Sequence, residues 1–165
     1  MIIFFYAFLR IFSLSFGYQD SLSKTNQIIL YAFLIFKKVR GSMSSVIRTS
    51  IGSPSAEKIA QVLQNYKQPN QFLIGAFSSK NLIAVIGFKL KGTQAIIKHI
   101  SVSDDFKKHG IGNCLIQKVI NDHVLSSILL ETDDESVGFY KKLGFKCEPF
   151  DSEYGNRYRC HLDLS

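Results

Sequence analysis

The sequence predicts an α/β (α+β) fold in which six or seven strands form one sheet flanked by helices. Alternating apolar residues and turn residues indicate a meander of three strands at residues 72–77, 82–90 and 94–103. A strand, a glycine-containing turn and an amphipathic helix occupy residues 99–120, and a strand, a helix and a strand occupy residues 127–150. With 165 residues, the chain is long enough for one domain with a full core.

The remaining elements flank these stretches. Residues 46–49 are a candidate first strand, and residues 54–66 are a helix with Ser53 as its N-cap. Near the C-terminal end, residues 145–150 and 157–164 are predicted strands joined by a polar turn.

A basic turn with two glycines joins the third strand of the meander to its helix. It reads Lys107-Lys108-His109-Gly110-Ile111-Gly112. Gly110 and Gly112 lack a Cβ atom, so a ligand can approach the backbone closely. The first N–H groups of the following helix lack intrahelical acceptors and attract an anion such as a pyrophosphate. Taken alone, the turn fits a plain strand-to-helix connection with solvated lysines equally well.

Two common phosphate-binding motifs do not match this turn. A P-loop requires G-x-x-x-x-G-K-[ST], which the chain lacks, and a dinucleotide fingerprint requires a third glycine. The turn is therefore neither a P-loop nor a dinucleotide-binding turn.

The stretch at residues 129–150 supplies a second pattern. Acidic residues at 133–135 suit the N-terminus of a helix, Lys141 and Lys142 suit its C-terminus, and Gly144 suits the position just after its end.

Together, the two stretches resemble the GCN5-related N-acetyltransferase (GNAT) superfamily over residues 46–164. The turn is similar to the family's [QR]-x-x-G-x-[GA] pyrophosphate loop, with Lys107 where the family prefers Gln or Arg. The segment Phe139-Tyr140-Lys141-Lys142-Leu143-Gly144-Phe145 is similar to its F-Y-x-K-x-G-F helix. The resemblance implies a mostly antiparallel, twisted sheet that is splayed between its fourth and fifth strands. It also implies an acetyl-CoA-dependent enzyme that acetylates a primary amine by direct attack on the thioester.

The resemblance implies a binding site for acetyl-CoA. The strand segment beside the pantetheine and the acetyl carbonyl comprises Ile100, Ser101 and Val102. The pyrophosphate is expected on the turn and the helix start, namely Lys107, Lys108, His109, Gly110, Ile111, Gly112 and Asn113. Tyr140 takes the family's position for the general acid near the sulfur; without the motif, a core aromatic beside Phe139 would be the better interpretation.

The general base is not settled by the sequence. Many family members have a glutamate on the strand that corresponds to residues 94–102, but no carboxylate stands there. His99 titrates near neutral pH, and Glu131 ends the next strand, so both are candidate bases. A packed histidine, a solvated acid and a water relay are the alternatives. The missing carboxylate also leaves a non-catalytic acyl-CoA-binding regulatory module as an alternative function.

Composition limits the other classes of function. The formal net charge is +7, but a surplus of +4 precedes Ser44, so the remainder is only mildly basic and we expect no nucleic-acid surface. Three cysteines without zinc-site spacing predict no metal site, reduced thiols and a cytoplasmic protein. Cys114 is expected to be a small packed residue rather than an activated thiol. A monomer or homodimer is expected.

Residues 1–43 differ in composition from the rest. Their apolar runs are broken by Arg10, Asp20 and Lys24 and are too short to span a bilayer. The start of the segment lacks the basic n-region of a secretory signal, and no A-x-A-like cleavage site follows the first run. They are interpreted as an in-frame extension ahead of Met43, a peripheral membrane anchor, or extra helices packed on the domain. We predict a hydrophobic extension at 1–43 and an N-acetyltransferase domain at 44–165 that is complete without it. Membrane contact, and a membrane-associated role, would require the extension.

Overall fold

The sheet is the central element of the computed structural model, which describes residues 34–38, 55–78, 81–153 and 155–165, the first of these ranges by its backbone alone. Its strands are β1 Leu34–Lys38, β2 Gln71–Ser78, β3 Asn81–Lys91, β4 Gln94–Val102, β5 Ser127–Asp133, β6 Lys146–Ser152 and β7 Gly155–Asp163. The helices of these residues are α1 Ala56–Asn65, α2 Ile111–Asp122 and α3 Asp134–Lys142, and a single 3₁₀ turn, Asp104–Phe106, precedes α2.

The strands are ordered β1-β2-β3-β4-β5-β7-β6 across the sheet. Neighbours pair antiparallel everywhere except between β4 and β5, which are parallel. The parallel pair follows from the crossover through α2. The predicted mixed, mostly antiparallel sheet is confirmed.

The fourth and fifth strands of the sheet pair along only part of their length. Their pairing runs from Gln94 opposite Ser127 to Ile97 opposite Leu130 and stops there. Beyond that point β4 continues to pair with β3, and β5 continues to pair with β7. The predicted splay between the fourth and fifth strands is therefore confirmed.

The helices cover both faces of the sheet. On one face, Ile59 and Tyr66, from α1 and its C-cap, pack with Leu73 and Val85 of the sheet. On the other face, α2 buries its apolar side, and the ring of Phe88 meets His123 at the end of that helix. Residues 85 and 88 of β3 point to opposite faces because side chains alternate along a strand.

Several expectations about individual elements need correction or stay open. The candidate strand at residues 46–49 lies outside the described residues. The predicted N-cap Ser53 also lies outside them and is wrong, because the side chain of Ser55 accepts the N–H of Lys58 at 3.2 Å and caps α1. Strand β1 falls within the predicted extension, and the domain boundary after residue 43 stays a prediction.

The expectation that all three thiols are reduced is wrong for one pair. Cys147 and Cys160 stand directly opposite each other on β6 and β7 and form a disulfide. Directly opposed residues have closely spaced Cβ atoms, so the register brings the two sulfur atoms into reach. Cys114 is buried in α2, as expected of a packed residue.

No helix among the described residues is long and apolar enough to span a membrane.

Candidate active site

The N-terminus of α2 lies at the turn where the sequence predicts the pyrophosphate to bind. Gly110 is its N-cap, with φ of 75°, and supplies no side-chain hydrogen bond. The helix ladder begins with the N–H of Cys114 donating to the carbonyl of Gly110 at 3.1 Å. The backbone N–H groups of residues 111–113 therefore precede the ladder and have no side-chain cap, in contrast to α1 and α3, whose caps are Ser55 and Asp133. Such donors suit an anion.

The two lysines of the turn differ in their surroundings. Lys107 forms an exposed ion pair with Asp104, its Nζ lying 2.6 Å from Oδ1. Lys108 is exposed and has a left-handed backbone, with φ of 62°. Asp104 therefore partly balances the charge of Lys107, whereas the backbone of Lys108 forms the bend that leads into α2.

Gly112 has a packing role that the sequence did not reveal. A Cβ atom at this position would lie 3.0 Å from Cζ of Phe139. The glycine therefore lets α2 and α3 approach each other, which aligns the turn with the helix that bears Tyr140.

Asn113 holds a buried acceptor at the same helix start. Its Oδ1 atom has no hydrogen-bond partner among the described residues. An unpaired buried acceptor costs free energy, so a bound ligand that donates to it would recover that cost.

The segment of β4 beyond Ile97 borders the gap between β4 and β5. It contains Ile100, Ser101 and Val102, which pair with β3, whereas the ladder to β5 ends at Ile97.

Tyr140 lies in α3 with only 4% of its surface exposed. Its ring makes edge contacts with Phe139 and Phe145, at centroid distances of 5.0 and 5.6 Å. No other described residue hydrogen-bonds to its hydroxyl. Burial, and secondarily the charge of Asp133, raise the pKa of Tyr140, so the phenol is protonated at neutral pH.

His99 lies on β4 just beyond the last residue that pairs with β5. Its Nδ1 is 2.5 Å from the hydroxyl oxygen of Tyr66, the C-cap residue of α1. Burial, with a smaller contribution from neighbouring Lys98, lowers the pKa of His99 below its usual value. The imidazole is therefore neutral at pH 7. Sequence reasoning missed Tyr66, because no local pattern pairs it with His99.

Glu131 is on the other border of the splay. It is exposed, and its Oε1 accepts from Nε of Arg159 at 3.2 Å. The strand register puts Glu131 and His99 on the same face of the sheet. Tyr140 belongs to α3, which lies beside α2 on the opposite face. The gap between β4 and β5 is thus bordered by the two candidate bases, His99 and Glu131.

A metal centre has no support in the part of the chain that the structure describes. No group of three or more His, Cys, Asp or Glu side chains there could hold a metal ion.

Comparison with known proteins gives a family match and many similar folds. The family model described as an acetyltransferase (GNAT) domain matches residues 49–162. A search of curated proteins finds no match.

Among solved structures, a GNAT family acetyltransferase from Elizabethkingia anophelis with acetyl-CoA bound is 19% identical, with a TM-score of 0.61 over 80% of this chain and 99% of that one. Ard1 from Thermoplasma volcanium is 19% identical, with a TM-score of 0.67 over 81% and 99%. The ribosomal-protein-S18-alanine N-acetyltransferase from Escherichia coli is 14% identical, with a TM-score of 0.65 over 80% and 94%. At these identities the likeness concerns the fold.

Proposed function

Because the chain belongs to the GNAT acetyltransferase family, and is thus an acyltransferase, we propose that it transfers the acetyl group of acetyl-CoA to a primary amine. The amine attacks the thioester directly in this proposal. The observation that carries it is the parting of β4 and β5 beside the uncapped N-terminus of α2. A gap for the thioester and a set of anion donors for the diphosphate thereby lie within one site.

In the proposed complex, the pyrophosphate binds the backbone N–H groups at residues 110–113, and Lys107 and Lys108 add positive charge. The pantetheine runs along residues 100–102 of β4, beyond the end of the β4–β5 ladder. A backbone N–H of that segment donates a hydrogen bond to the carbonyl oxygen and stabilises its developing negative charge, as in an oxyanion hole. Bound acetyl-CoA in the Elizabethkingia anophelis structure, which has a similar fold, supports this choice of donor.

The chemical step needs a proton donor and a proton acceptor. The amine nitrogen forms a bond to the carbonyl carbon, the carbon–sulfur bond breaks, and the hydroxyl of Tyr140 protonates the leaving thiolate. We assign proton removal from the amine to His99, because its lowered pKa leaves it neutral. Glu131 is the weaker candidate, since its carboxylate is exposed and paired with Arg159; a water relay is the remaining alternative.

We also propose that the reaction takes place in the cytoplasm. The Cys147–Cys160 disulfide argues against it, because such bonds are rare in reducing compartments. A monomer or homodimer stays a prediction.

The test is release of the CoA thiol by the full chain with acetyl-CoA and a panel of primary amines. We expect thiol release that depends on one class of amine, with the acetylated amine detected by mass spectrometry. Titration of CoA and acetyl-CoA by calorimetry is the companion measurement. Binding without amine-dependent release would instead indicate a non-catalytic acyl-CoA-binding module, and no binding heat from folded protein would overturn the CoA site.

A further inference from the structure

Tyr66 reaches across one face of the sheet to His99. Its ring is 6% exposed and is packed with Ile59, Leu73 and Val85. Its hydroxyl oxygen lies 2.5 Å from His99 Nδ1, and the two rings meet edge-on, 75° apart and 5.8 Å between centroids. The packed ring of Tyr66 therefore holds its hydroxyl oxygen against Nδ1 of His99.

Gly87 makes room for this contact. It stands directly opposite His99 in the β3–β4 pair. A Cβ atom there would lie 2.1 Å from the Tyr66 hydroxyl and 2.4 Å from its Cζ. Any other residue at position 87 would displace Tyr66 from His99, so the glycine has a steric function.

The position of His99 is itself set by an irregularity of β4. Phe88 pairs with Ile97 and Gly87 with His99, so Lys98 is an extra residue at a β-bulge. Ile97 is also the last residue that pairs with β5. The bulge therefore puts His99 where the gap between β4 and β5 begins.

We propose that Tyr66 is a positioning residue for His99, whose Nδ1–H it accepts so that the lone pair of Nε2 faces the acceptor amine. This inference rests on the proposed function, because it deepens the assignment of His99 as the base. Burial raises the pKa of Tyr66 and lowers that of His99, so the pair is uncharged at neutral pH.

The two possible proton arrangements have opposite consequences. A neutral imidazole carries one proton, and a phenol hydroxyl can donate or accept. If Tyr66 donated to Nδ1, the imidazole proton would be on Nε2 and the ring could not act as a base there. With the proton on Nδ1, donated to the Tyr66 oxygen, Nε2 is the free acceptor.

The proton balance of the step is complete with the groups already named. The amine N–H bond breaks, a bond forms from that proton to Nε2, and Nδ1 keeps its proton on the Tyr66 oxygen. Tyr140 gives its proton to the thiolate. The imidazolium then loses its Nε2 proton and the Tyr140 phenolate regains one, both through solvent.

The first test reads the tautomer directly, without any activity. Long-range ¹H–¹⁵N spectra of the full chain at neutral pH, assigned with His99→Gln, should show His99 protonated at Nδ1 and bare at Nε2. Tyr66→Phe should shift the population toward the Nε2–H form, whereas the matched control Tyr158→Phe should leave it unchanged. Tyr158 is suited to this because its hydroxyl donates to Asp134, at 2.7 Å, instead. A wild-type His99 protonated at Nε2 would overturn the proposal.

The second test is kinetic, with folding of each variant checked by urea unfolding. Tyr66→Phe should lower kcat about five- to tenfold, the value of one hydrogen bond between neutral groups, with the CoA Kd unchanged. His99→Gln should lower kcat further, and the double variant should be no slower than His99→Gln alone. Additive losses, or a wild-type kcat for Tyr66→Phe, would contradict the positioning role.

The outcomes separate this inference from the proposed function. If His99→Gln keeps full activity, the base assignment fails while the acetyltransferase itself stands. If the wild-type chain transfers no acetyl group, the proposed function fails, and the tautomer measurement still reports whether Tyr66 orients His99.

Discussion

At the scale of single residues, Tyr140 combines a packed ring with a hydroxyl that no other described residue binds. Tyr140→Phe should keep the edge contacts with Phe139 and Phe145 while removing the proton donor. We expect kcat to fall by about 10²-fold or more, the usual effect of losing a general acid. The CoA Kd from calorimetry should stay near the wild-type value. A wild-type kcat would return Tyr140 to the role of a core aromatic.

Single residues also show what the sequence could and could not reveal. Gly144 was predicted to follow a helix end, and its φ of 89° confirms this, because the signal is local. The partnership of Tyr66 and His99 spans 33 residues and depends on a glycine on a third element. No periodicity or turn pattern encodes such a contact, so only the folded chain discloses it.

At the scale of elements, the N-terminus of α2 permits a test of charge alone. Gly110 has a left-handed backbone, which Asn and Asp tolerate best among other residues. Gly110→Asp would place a negative charge where the diphosphate is proposed to bind, and Gly110→Asn is the uncharged control of the same shape. We expect the Asp variant to bind CoA about tenfold more weakly than the Asn variant, by repulsion near the surface. Calorimetry measures both, and equal Kd values would remove the diphosphate from this helix start.

Strands could be predicted where the sequence pattern that indicates them is local. The strands predicted at residues 72–77 and 82–90 differ from β2 and β3 by one residue at each end. Strand β1 was not predicted, because its first three residues end an apolar run and its last two are lysines, so the segment lacks the alternation that marks a half-buried strand. The mostly antiparallel sheet and the splay between its fourth and fifth strands came from the family resemblance, because the periodicity of a strand does not indicate which strand it pairs with.

At the scale of the whole molecule, strand order separates the N-terminal edge of the sheet from the candidate site. Among the described strands, β1 pairs with β2 alone at that edge, and β2 and β3 stand between it and β4. The disulfide, between β6 and β7, belongs to the opposite edge. Changes at either edge should therefore affect stability more than the chemistry proposed at the splay.

Residues 1–43 precede the predicted domain and include strand β1. A chain that begins at Met43 lacks β1, whereas one that begins at residue 33 keeps it. We expect the Met43 chain to bind acetyl-CoA and release thiol as the full chain does, because the splay and the α2 turn are intact. Its free energy of unfolding in urea should be lower by roughly 1–3 kcal/mol, since β2 loses its outer ladder. The chain from residue 33 is the matched control and should unfold like the full chain. If the Met43 chain were insoluble or did not bind acetyl-CoA, while the control chain was soluble and bound it, β1 would be an essential part of the acetyltransferase domain. The domain would then begin before residue 34.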